Sequence, residues 1–190
     1  MTGPDLVLHT VRCVGFAGVP RIAAAAGLAP SDVESALIDL AVDGLVSRVP
    51  GEFGGWGLTD AGRAADGERV AAELAGAGTR ERVAAGLVGF LVLNPELLDL
   101  VSAWQLRDGA PSTATRILDR VADLDRRTDP VCAALAAALP RFGRYRTRLT
   151  AALDRVRAGE VAYLADELDS YHTVWFQLHE DLLATLGVPR

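Results

Sequence analysis

Apolar residues recur at helical spacing along most of this chain, and the pattern breaks to strand-like runs only near residues 45–58. Residues 6–17 (LVLHTVRCVGFA) predict a helix that is apolar on most sides. Pro20 suits the first position of a second helix, which Gly27 ends. Pro30 opens a third, with Asp32 placed to meet its free N–H groups. Val33, Leu37 and Leu40 line the inner face of that helix at spacings of four and three, and Gly44 ends it. Residues 45–49 (LVSRV) predict a short strand. Pro50, Gly51, Gly54 and Gly55 predict a turn-rich loop, and residues 56–58 (WGL) a return strand. Thr59 is placed to cap a fourth helix beginning DAGRAA.

Helix, helix, turn, helix, hairpin and helix, in that order, make the winged helix-turn-helix plan. The string GLVSR…GLTDAGR resembles the end of the recognition helix, the wing and the following helix of MarR-like regulators. In those families the second wing strand runs into an LT-x-x-G segment, matched here by Leu58, Thr59 and Gly62. The resemblance covers about a third of the chain and implies a DNA-reading module of a bacterial transcription regulator. On that reading Ser31, Ser35, Ile38 and Asp39 face the major groove, and Arg21 and Arg48 hold backbone phosphates.

Beyond residue 64 the predicted structure is helical almost throughout. Gly76 and Gly78 mark a break, with Thr79 as the next cap. Asn94-Pro95 and Asp129-Pro130 each read as a cap followed by proline at the first helical position. Residues 109–112 predict a loop, Pro140 splits the helix that follows, and Gly159 precedes the last helix, which Gly187 ends. In that last segment Val161, Leu164, Leu168, Tyr171, Trp175, Leu178 and Leu182 form a heptad seam. A second stripe of His172, Phe176, His179 and Leu183 runs beside it. Two stripes call for two covers, the second being another subunit or a ligand. The tail DSYHTVWFQLHEDLLATLG, with RFGRYRTRL and WQLR, resembles the C-terminal domain of regulator-like proteins of GC-rich bacteria.

Charge complicates the picture. The 190 residues carry a formal net charge of −6, with 19 basic residues, all arginine, against 25 acidic ones. Residues 20–63 hold Arg21, Arg48 and Arg63 against Asp32, Glu34, Asp39, Asp43, Glu52 and Asp60. The third helix therefore lacks the cations that usually anchor phosphates. Positive charge concentrates instead in residues 141–157, where Arg141, Arg144 and Arg148 share one helical face. Three roles fit that face: pairing with Glu160, Asp166, Glu167 and Asp169, an anion pocket, or a nucleic-acid contact.

Candidate small-molecule contacts are those arginines together with Trp104, Gln105, Tyr171, His172, Trp175 and His179, large aromatics among a few polar groups. His172 and His179 lie too far apart on one helix to share a metal ion easily, and no metal or other cofactor is expected. Cys13 and Cys132 predict buried free thiols. Nucleophile elbows and phosphate-cradling loops are missing, so no enzyme is expected. The longest apolar run, residues 84–93, is too short to span a bilayer, and no signal peptide is seen. The expectation is a cytoplasmic, mainly α protein: an N-terminal winged helix over residues 1–67, then a helical bundle over residues 68–190. Its expected partners are double-stranded DNA, a second copy of the chain and a small effector. The alternative is a winged helix that binds no DNA and serves protein docking or ligand sensing.

Overall fold

A computed structural model describes residues 1, 3–51, 54–107 and 110–189. Among these residues the chain is mainly helical, with eight α-helices and one two-stranded antiparallel sheet. It divides into two compact units, Met1–Gly78 with Glu180–Arg190, and Thr79–His179.

The first unit opens with α1 (Gly3–Val14), α2 (Val19–Ala26) and α3 (Pro30–Val42). Helix α1 stops short of the predicted end, because Gly15 turns the backbone into the left-handed region at φ 77° and Ala17 bridges to Trp56. Strands β1 (Val46–Val49) and β2 (Gly55–Leu58) pair in register from Val46 opposite Leu58 to Val49 opposite Gly55. The turn between them includes Glu52 and Phe53, which lie outside the described residues. Helix α4 (Asp60–Ala77) follows directly, with the Thr59 hydroxyl accepting from the Gly62 N–H at 3.0 Å. A core of Val7, Leu8, Val11, Ile22, Val33, Leu37, Leu40, Val46 and Trp56 joins these elements. The inner face expected for α3 is the buried one.

The second unit contains α5 (Arg80–Gln105), α6 (Pro111–Ala138) and α7 (Gly143–Arg157). Thr79 holds the N-cap position of α5, but its side chain makes no capping bond. Neither Pro95 nor Pro130 starts a helix; both lie inside one. Asn94 does not cap because its Oδ1 accepts from the Trp175 indole N–H at 2.9 Å. Burial at Phe90, Leu93, Leu97, Leu100, Val101 and Trp104 carries α5 across Pro95. In α6 the buried series Val121, Leu124, Thr128, Cys132 and Leu135 passes Pro130 in the same way. The loop expected at 109–112 is already helical from Pro111, and Gly109 lies outside the described residues. Helices α5 and α6 approach closely at Gly86, where a Cβ would lie 2.4 Å from Leu135. Pro140 does split the helix, into α6, a 3-10 turn at Pro140–Phe142, and α7.

The continuous heptad seam is overturned in its first half. Val161–Leu164 is a short 3-10 turn, and α8 starts only at Tyr171 and runs to Leu186. The Ser170 hydroxyl accepts from the Thr173 N–H at 3.2 Å, a cap that fixes the start. Val161 and Leu168 are consequently exposed. Because α5 continues past Pro95, it reaches an 18-residue window of mean hydropathy 1.6, long and apolar enough to cross a membrane by length and composition. The short run at residues 84–93 understated this.

Candidate functional site

Helix α3 buries one face in the first unit's core and turns the other outward. Ser31, Ser35, Ile38 and Asp39 all lie on the exposed face, with Asp32, Glu34 and Val42 beside them. Ile38 is 53% exposed and Val42 83%. Arg48 is exposed on β1, its guanidinium 5.7 Å from the Trp56 ring centre. Arg21 is half-buried on α2, and its Nε has no hydrogen-bond partner among the described residues. A hollow of about 220 Å³ lies between the start of α2 and the strand pair, lined by Gly18, Pro20, Arg48 and Trp56 among others.

In the second unit the aromatic residues named from sequence are core residues. Trp175 stacks on Phe90 with ring centres 4.5 Å apart. His179 tilts against the same ring at 5.0 Å, and Tyr171 lies 6.3 Å from Trp175. The Tyr171 hydroxyl donates to Asp125 Oδ1 at 3.1 Å, and Arg146 holds Oδ2 of the same carboxylate at 2.8 Å. Burial, then the Asp125 charge, raises the Tyr171 pKa far above the usual phenol range. Burial likewise pushes the Cys132 thiol up to about 11, so this cysteine is inert as a nucleophile. Trp104 is buried at the end of α5, with the Arg107 guanidinium 3.7 Å from its ring centre, while Gln105 is exposed. His172 is half-buried, and burial lowers its pKa.

Of the arginine face, Arg141 lies over Phe142 and Arg144 over Tyr145. Arg148 approaches Asp169 at 3.6 Å, and Arg155 pairs with Glu160. The local acids thus engage part of this positive charge. A separate apolar hollow of about 430 Å³ lies where Gly86 of α5 meets Val131 and Ala134 of α6.

A buried polar constellation lies in the first unit, and pattern reading along the sequence missed it. His9 is fully buried. Its Nδ1 faces Asp66 Oδ1 at 3.0 Å, and its Nε2 faces Asp181 Oδ1 at 3.0 Å and Cys13 Sγ at 3.6 Å. Arg12 Nη1 donates to Asp66 Oδ2 at 3.1 Å, and the Thr185 hydroxyl donates to Asp181 Oδ1 at 3.0 Å. Burial opposes charge on the His9 ring, but the Cys13 sulfur and the two carboxylates outweigh it and hold its pKa well above the usual imidazole range. The signal within reach of sequence was the spacing of four between His9 and Cys13, which puts both on one face of α1. Asp66 and Asp181 come from distant parts of the chain and carried no local signal.

No protein family, curated protein or solved structure matches this chain. The class that the structure defines is a mainly helical protein bearing one small antiparallel sheet.

Proposed function

We propose that the chain is a winged-helix transcription regulator that binds duplex DNA as a homodimer. The observation that carries this reading is α3: one face packs in the core, and the opposite face presents Ser31, Ser35, Ile38 and Asp39 to solvent. The order of α1 to α3, the β1–β2 pair with its Ala17–Trp56 bridge, and α4 supports the winged-helix arrangement. In the groove, serine hydroxyls bond to bases or phosphates, the Asp39 carboxylate accepts from cytosine N4, and Ile38 meets a thymine methyl. Arg48 and Arg21 hold phosphates on either side. Helix α5 offers a surface for the second copy, since Val88, Leu91, Val92 and Leu98 are exposed apolar residues along it. An anionic effector would use Arg141, on the 3-10 turn, with Arg144 and Arg148 on α7. Action on DNA places the protein in the cytoplasm.

A second reading has its own support. The outward face of α3 carries Asp32, Glu34 and Asp39, no cation, and the bare side chains of Ile38 and Val42. That composition suits docking of a partner protein better than docking on phosphates.

Fluorescence anisotropy with a duplex from the chain's own promoter region separates the two readings. Two phosphate-holding arginines per subunit make four in a dimer, so log K should fall against log salt with a slope of about −3.6. Arg48→Ala should reduce that slope by about 1.8, two contacts being lost. Absence of binding even at low salt would reject DNA reading and leave protein docking.

A further inference from the structure

The geometry points to a divalent metal site, of zinc type, formed by Cys13 Sγ, His9 Nε2 and an Asp181 oxygen. The three donors are buried and lie within 4.8 Å of one another. Their chemistry is the borderline-soft N, S and O set that zinc takes in tetrahedral sites. Bond lengths of about 2.0 Å to nitrogen and about 2.3 Å to sulfur at a tetrahedral angle separate the two donors by about 3.5 Å. The observed Sγ–Nε2 separation is 3.6 Å. Nitrogen and oxygen ligands would stand about 3.3 Å apart, so the 3.0 Å contact between His9 and Asp181 opens by a few tenths of an ångström.

A second observation, independent of the ligand triangle, is the orientation of the imidazole. Asp66 accepts from the Nδ1 side, leaving Nε2 turned toward Cys13 and Asp181. A carboxylate behind a ligating histidine fixes its tautomer and raises its basicity, the outer shell that zinc histidines use. Arg12 in turn anchors Asp66. Binding displaces the Nε2 proton of His9 and the thiol proton of Cys13 to solvent. Formal charge then closes, the cation being offset by the Cys13 thiolate and the Asp181 carboxylate, and Asp66 by Arg12. With three protein ligands, the fourth position falls to water or to the second Asp181 oxygen. Because the donors come from α1 and from the C-terminal part of α8, both within the first unit, the ion acts as a structural clip.

Cobalt(II) tests the site directly. The 190-residue chain, stripped of metal by a chelator and also refolded with the ion present, is titrated with cobalt. One equivalent per chain should bind, with a thiolate-to-cobalt charge-transfer band in the near ultraviolet. Cys13→Ser should abolish the band and Cys132→Ser should leave it intact. Asp66→Asn should weaken zinc binding about 10- to 100-fold while stoichiometry is retained. Zinc should raise the melting temperature of the wild-type chain. A wild-type protein that shows no charge-transfer band under either loading, or a band lost on Cys132→Ser, overturns the site. The wild-type titration stands even if a variant of Cys13 fails to fold.

Discussion

Gly62 shows how one residue of the LTDAGR segment is required by its neighbours. Its N–H donates to the Thr59 hydroxyl, which also donates to the Gly44 carbonyl at 2.7 Å. A Cβ at residue 62 would lie 1.8 Å from the Leu45 carbonyl oxygen, a backbone atom that has no rotamer to yield. Gly62→Ala should therefore lower unfolding free energy by about 1–3 kcal/mol, read from urea denaturation; an unchanged midpoint would show that the strand start shifts freely. His172 makes a pH prediction. Burial lowers its pKa below the ordinary 6.5, so the folded chain prefers the neutral ring and binds fewer protons than the unfolded chain. Its effect is absent above that value. The cost appears as pH falls through it and is complete below the folded pKa. His172→Gln should flatten the loss of thermal stability between about pH 7 and about pH 5 relative to the parent; parallel curves would reject this role. Residue-scale chemistry was only half legible in sequence. The spacing of His9 and Cys13 could be read, but Asp66 and Asp181 reach them only through tertiary packing.

At the scale of elements, short-range signals succeeded where no stronger packing demand opposed them. Thr59 caps α4, Pro30 opens α3 and Gly27 closes α2 with φ 70°, each as read. The failures at Asn94-Pro95 and Asp129-Pro130 have a common cause. Both prolines are on exposed faces, and apolar burial on either side outweighs the single backbone bond each forgoes. Pro95→Ala restores that bond within α5. It should raise unfolding free energy by about 1–2 kcal/mol after the added freedom of the unfolded chain is subtracted. Calorimetry checks this, and a lowered melting temperature would mean that proline's ring contacts, not its missing N–H, dominate. The seam over residues 161–170 failed for the opposite reason. Its apolar spacing was regular, but the Ser170 cap and the acids Asp166, Glu167 and Asp169 favour a turn there.

For the molecule as a whole, the sequence conveyed the helical character and the small sheet. It did not convey that the first compact unit is built from two separate stretches of chain. Periodicity describes one segment at a time and holds no information on which distant segment shares a core. The acids Asp32, Glu34 and Asp39 on the outward face of α3, in a chain of net charge −6, set the main constraint on any DNA complex: few cations and a shallow salt dependence. The discontinuity of the first unit also governs its birth. Residues 1–78 leave the ribosome long before residues 180–190 do, and until then His9 has no Asp181 to face. The first unit thus stays incomplete until that second stretch has been made, which makes it sensitive to any truncation that removes residues 180–190.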